Sequence, residues 1–227
     1  MLKSFKKEMN SLKNPEKAKL LSGYFKTGKG EYGEGDNFLG IIVPKQREAA
    51  KKYDLSLDEL QELLSSNIHE YRMTALFILV RKYQKSENKK EIVDFYLKNT
   101  KNINNWDLVD LSAPRILGDY LINKDRKVLY KLANGHLWER RIAILSTFMF
   151  IKNNDFKDSL KIAEILLKDR HDLIHKAVGW MLREIGKQNQ AIEENFLKKH
   201  FKSMPRTMLR YAIEKFDKRK RGFYLSQ

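Results

Sequence analysis

The chain has 227 residues, no cysteine and a formal net charge of +16, from 45 Lys and Arg against 29 Asp and Glu. A hydrophobic content of 42% belongs to a folded chain, not a disordered one. The lack of cysteine excludes disulfides, thiolate nucleophiles and Cys-based zinc sites, and it fits a reducing cytoplasm, the expected location.

No segment reaches the roughly 18 apolar residues that span a bilayer, so no membrane contact is expected. The charge attracts polyanions and speeds their encounter, which favours nucleic acid as a partner. A Lys-rich surface from an A/T-rich genome is the plainer explanation, so charge alone identifies nothing.

In chain order, Met1 to Lys13 reads as an amphipathic first helix without the continuous apolar core of a secretory signal. Glycine clusters once, in Gly28 to Gly40 (GKGEYGEGDNFLG). This stretch lacks the GxxxxGK[ST] pattern and a leading strand, so it is expected to be a long ordered connection between the second and third helices, not a phosphate cradle. Three long helices follow at Ile68 to Gln84, His136 to Lys152 and Asp172 to Lys187, from apolar residues at three- and four-residue spacing. Each is followed by a second helix: Glu87 to Lys98, Asp155 to Leu167 and Gln190 to Phe201. No sustained period-two alternation predicts a sheet. The basic run at Lys215 to Arg221 (KFDKRKR) reads first as a solvated tail.

Ala75, Ala143 and Ala177 occupy matching places in the three long helices, separated by 68 and 34 residues. A fourth repeat should centre on Val109, where Pro114 must bend or interrupt the helix. His69, His136 and His171 recur near the helix starts. The expected fold is all-α: a HEAT-like repeat α-α superhelix, or solenoid, of about a dozen helices, with residues 1–227 forming one domain and a concave basic cleft. Such a surface fits the side of a duplex through phosphate contacts.

His171 and His175 share a helical face, but two histidines without further ligands make no zinc site, and no metal or other cofactor is expected. Tryptophans fall at Trp106, Trp138 and Trp180. In NNWDLVD, Trp106 and Asp110 are four apart and share a face of one helix. A carboxylate beside an indole is a costly core pair but a good lining for a cationic ligand. Asp107 has a second reading, as a helix cap.

Four segments in register resemble the AlkD-type alkylpurine DNA glycosylases: GEGDNFLGIIVPKQR (Gly33 to Arg47), NNWDLVD (Asn104 to Asp110), LWERRIAI (Leu137 to Ile144) and HKAVGWMLREIGK (His175 to Lys187). The likeness runs from about Tyr24 to Phe216. It implies a HEAT-like solenoid, acting as a monomer, that binds double-stranded DNA with alkylated bases and excises cationic lesions of the 3-methyladenine and 7-methylguanine type. By this resemblance Trp106 and Trp180 are cleft tryptophans, Asp110 is the essential carboxylate, Arg141 holds DNA, and Tyr24 lines the cleft. Asn105 stands where some relatives carry an aromatic residue, which points to a different cleft lip. Trp138 returns to the core reading.

The repeat alignment does not put Trp106, Asp110, Arg141 and Trp180 at equivalent helical positions, so their convergence is implied only by the resemblance. A non-catalytic HEAT-repeat binder of DNA structures on the same scaffold is the alternative function. A HEAT-type protein-interaction scaffold is a third.

Overall fold

The computed structural model describes residues 1–226 of the chain. Among these residues the structure is helical throughout, with one isolated bridge between Asn37 and Ile68 in place of any sheet. The chain divides into two compact units, Met1–Ser112 and Ala113–Gln227.

The first unit begins with α1 (Leu2–Ser11), whose Phe5 and Met9 are four apart and fully buried. Helix α2 (Pro15–Tyr24) starts where Asn14 accepts the Lys17 N–H and proline takes the first helical position, the two signals expected of a helix start. It buries no residue completely; Leu20 and Tyr24 are exposed. Helices α3 (Val43–Lys52) and α4 (Leu57–Leu64) both pack on α5 (His69–Lys85). α4 opens with a capping box, Ser56 and Glu59 each bonding the other's backbone N–H. α5 is buried over nearly its whole circumference, as the apolar composition of Ile68 to Gln84 requires. Helix α6 (Lys89–Lys98), a short turn at Thr100–Asn102 and α7 (Trp106–Ala113) follow.

The glycine-rich connection lies between α2 and α3, as its composition predicts, and α5 holds it. The Glu70 carboxylate accepts three successive backbone N–H groups: Leu39 (2.9 Å), Gly40 (2.8 Å) and Ile41 (3.2 Å). Consecutive N–H groups of this kind form an anion site, and here the protein's own carboxylate fills it. Gly40 has φ +79°, and a side chain there would meet the Asn14 carbonyl oxygen at 2.1 Å. Glycine is required at that position by both backbone conformation and space.

The second unit opens with a widened helical turn at Pro114–Gly118, the interruption that Pro114 implies. Helices α8 (Lys127–Leu132), α9 (Leu137–Ser146), α10 (Phe148–Lys152), α11 (Lys157–Leu166), α12 (Asp172–Gln188), α13 (Gln190–His200), α14 (Arg206–Ala212) and α15 (Lys218–Leu225) follow. The helix expected over His136 to Lys152 is thus two, broken at Thr147. Ser146 Oγ donates to the Ile142 carbonyl at 2.7 Å and Thr147 Oγ1 to the Ile144 carbonyl at 2.7 Å, hydroxyl bonds that compete with the helical ladder. The C-terminal basic run is also not a tail: residues 218–225 form α15.

Helix α12 is the hub of this unit, packing on α9, α11, α13 and α14. At Gly179 an added side chain would lie 2.4 Å from the Met208 carbonyl oxygen, so α14 runs against bare backbone there. The repeat alanines Ala75, Ala143 and Ala177 are all completely buried. His136 and His171 occupy the positions just before α9 and α12, and His69 opens α5. Trp138 is buried, in agreement with its core reading.

Candidate active site

Tyr24, Trp106 and Asp110 lie in the first unit, and Arg141 and Trp180 in the second. Trp106 is the first residue of α7. The buried side of this helix carries Leu108, Val109 and Ser112, leaving Trp106, Asp107 and Asp110 on the partly accessible side. Trp106 and Asp110 therefore share a face one turn apart, as their spacing predicts. The Asp110 charge also reaches the interior. Burial raises the pKa of Tyr96, the hydrogen bond with Ser112 Oγ at 3.0 Å partly offsets that rise, and the Asp110 charge adds to it.

An aromatic stack backs the Trp106 indole. Phe25 lies nearly parallel to it, with centroids 5.4 Å apart, and Tyr24 meets it edge-on at 6.2 Å. Phe25 packs in turn on Phe38 at 5.2 Å and on the His69 imidazole at 5.0 Å. The ring is thus presented by a layer of other rings, which restricts its rotation. Tyr24 and Phe25 also wall an apolar cavity of about 360 Å³ that extends to Leu20, Ile42 and Met73.

Beneath this layer lies a buried charge cluster that neither spacing nor resemblance indicated. His69 Nδ1 is 3.1 Å from Asp36 Oδ2, and its Nε2 is 2.9 Å from Asp107 Oδ2. Ionised carboxylates only accept hydrogen bonds, so both ring nitrogens must donate and His69 is an imidazolium. Burial alone would push its pKa down, but the charge and hydrogen bond of Asp107 and the hydrogen bond of Asp36 prevail and raise it to about 9. Asp36 is further held by Arg72 Nη2 at 2.5 Å. Against the opposing effect of burial, its His69 and Arg72 partners keep its carboxyl below the ordinary range.

Asp107 is therefore the carboxylate partner of a buried histidine, and its second oxygen accepts the Leu108 N–H at 2.8 Å. The cap reading captures only that local bond. Asn105 is fully buried and its side-chain oxygen accepts the Trp106 N–H at 2.8 Å, so it shapes the start of α7 and forms no accessible lip. The recurrence of histidine at helix starts was the only sequence signal for the His69 cluster, and it read as a repeat marker.

In the second unit Trp180 is half-buried in α12. Its indole N–H donates to Glu184 Oε1 at 3.0 Å, four residues on, and its ring lies 6.2 Å from Phe148. Lys187 shares that carboxylate oxygen at 2.7 Å. Arg141 is only 5% exposed, and its Nη1 donates to the Leu173 carbonyl at 2.6 Å, tying α9 to the first turn of α12. The two histidines of the metal reading are engaged with backbone: His171 accepts the Leu173 N–H at 3.2 Å, and His175 Nε2 lies 2.6 Å from the Asp169 carbonyl oxygen.

The comparisons give the class of this all-helical chain. The family model described as DNA alkylation repair enzyme matches residues 5–216. The chain belongs to that family. Two solved structures share its fold. One, described as a predicted DNA alkylation repair enzyme from Enterococcus faecalis, aligns with a TM-score of 0.72 at 21% identity, covering 91% of this chain and 97% of its own. The other, smu.31 from Streptococcus mutans UA159, aligns with a TM-score of 0.52 at 20% identity, covering 75% and 89%. At these identities the likeness establishes the fold alone. No curated protein matches the chain.

Proposed function

We propose that the chain is a DNA N-glycosylase that excises cationic alkylated purines, of the 3-methyladenine and 7-methylguanine type, from duplex DNA. The observation that carries this reading is the accessible side of α7. There the Asp110 carboxylate stands one turn from an indole whose orientation is held by Phe25 and Tyr24.

Alkylation at N3 or N7 places a positive charge on the purine. The base then leaves as a neutral molecule, and the reaction needs no strong general acid. As the glycosidic bond breaks, positive charge develops on the sugar. A fixed carboxylate close to that sugar stabilises the oxocarbenium-like transition state. Asp110 is assigned this role. Trp106 offers a ring face to the sugar and the cationic base, and Tyr24 extends the aromatic surface beside it; Trp180 is assigned a ring-face role by the family resemblance alone. This chemistry draws on no thiolate, metal or cofactor.

Arg141, 5% exposed, is assigned to a DNA phosphate by the family resemblance. The cytoplasmic, monomeric, single-domain HEAT-like scaffold expected from sequence belongs to the same proposal.

The test is incubation with duplex DNA carrying 7-methylguanine, with chromatographic detection of free base. Release of 7-methylguanine by the wild-type chain, and its loss in Asp110→Asn, is the expected result. Tight duplex binding with no base released from either protein would favour a binder of DNA structures.

A further inference from the structure

We propose that α15 and the end of α13 form a second nucleic-acid contact, a phosphate-binding surface separate from the residues assigned to base excision; this rests on the DNA reading above. Residues 198–226 hold ten Lys and Arg against two acidic residues, Glu214 and Asp217, so half of the chain's net +16 lies in this segment. The family match ends at residue 216, and α15 lies beyond it.

The segment is ordered by specific contacts. Asp217 caps α15 by accepting the Lys220 N–H at 2.9 Å. Tyr224 is buried, with Phe201 edge-on at 5.3 Å and Phe216 at 5.9 Å. Arg206 donates to the Leu225 carbonyl oxygen at the far end of the helix. Lys220 bonds Glu194 on α13, joining the two elements.

The local acids are already engaged. Glu194 holds Lys220, Glu214 is bridged by Arg183 and Lys215, and Asp217 is the cap. Exposed Lys218, Arg219 and Arg221 on α15, with exposed Lys198, Lys199 and Lys202 at the end of α13, therefore present one sign of charge from a fixed backbone. Repeated anions at close spacing, the phosphates of a nucleic-acid strand, match this surface.

A lipid surface fits less well. Insertion needs an apolar helix face, and on this eight-residue helix Phe223 is the one large apolar side chain that is exposed, while Tyr224 points into the fold.

The test compares the wild-type chain with the triple variant Lys218→Ala, Arg219→Ala, Arg221→Ala. Affinity for undamaged duplex is measured across salt concentrations, and base release under single-turnover conditions with protein in saturating excess. Each lost phosphate contact lowers the slope of log K against log salt by about 0.9, so the triple variant should lose roughly two to three from the slope. Its base-release rate at saturation should stay within about twofold, since none of the three residues is assigned to the excision step. The charge-conserving triple Lys218→Arg, Arg219→Lys, Arg221→Lys should keep the wild-type slope, and circular dichroism checks that all variants stay folded.

An unchanged slope in the Ala variant, with wild-type protein that binds duplex, overturns this surface alone. Loss of binding to phosphatidylglycerol vesicles with no change on DNA overturns it in favour of a membrane. Wild-type protein that binds no duplex at low salt overturns the DNA reading itself, and this surface with it, before any variant is made. Wild-type protein that binds duplex without releasing base defeats only the glycosylase reading, and the slope comparison still decides the surface.

Discussion

The two units hold their candidate tryptophans by different physics. Trp106 rests on Phe25, which rests on the His69 imidazolium, and the buried Asp36 and partly buried Asp107 carboxylates fix that imidazolium. Trp180 is held within its own helix by one hydrogen bond to Glu184 four residues away. The first arrangement depends on pairs 33 and 38 residues apart in sequence, and the second on one helical turn. A support built from buried charges fails as a unit when one member is removed, whereas a single half-exposed hydrogen bond fails gently.

The largest effect should come from His69→Ala. It leaves Asp36 and Asp107 without their shared cation, and removing one partner of a buried ion pair costs about 3–5 kcal/mol. Denaturant unfolding should register that loss. The pH dependence has a defined sign, because the folded pKa of about 9 lies above the ordinary 6.5. The stabilisation is complete below pH 6.5 and is lost as pH rises through 9. A wild-type stability that does not fall across this range relative to His69→Ala would contradict the buried imidazolium.

Next in size is Asp110→Asn, which keeps the shape and removes the charge. Loss of one preorganised electrostatic contact costs about 10²–10³-fold in rate. Base release should fall by about that factor, with binding to undamaged duplex nearly unchanged, as measured by single-turnover kinetics and anisotropy. Wild-type rates in this variant would remove Asp110 from the chemistry.

The second unit has its own buried titrating group, Glu193 on α13. It is 1% exposed, and burial, aided by the charge of Glu194, raises its pKa to about 8. For a carboxyl raised above its ordinary 4.5, stability is greatest below that value and is lost as pH rises through 8. Glu193→Gln should therefore be more stable than the wild type at pH 8 to 9, by on the order of a few kcal/mol and with a higher melting temperature, and change little near pH 4. Equal melting curves at both ends of the range would show that Glu193 is ionised without penalty. Together with the His69 series this sharpens the contrast: alkaline pH strips a stabilising charge from one unit and imposes a destabilising one on the other.

The smallest effect is expected from Glu184→Ala, which frees the Trp180 indole N–H. A single hydrogen bond of this kind is worth about 1 kcal/mol, so base release should slow by roughly two- to tenfold without measurable unfolding. A loss as large as that of Asp110→Asn would mean that Glu184 does more than orient the ring.

The sequence by itself determined the local features. The helical spacing of apolar residues placed α5 and α12 almost to the residue, and the three repeat alanines are all buried. The four-residue spacing of Trp106 and Asp110 put them on one side of α7. These are consequences of the 3.6-residue period, which a chain carries in its own order. The tertiary structure alone decided the rest. It set Phe25 behind Trp106, gave His69 two carboxylates from other segments, and filled the glycine-rich backbone cradle with Glu70. It also broke the expected helix at Thr147 and turned the basic run into α15. The pairings across segments join groups that no short-range period relates. A buried charge takes its partner from whichever segment the packing brings beside it, because leaving it unpaired costs more than any local preference can return.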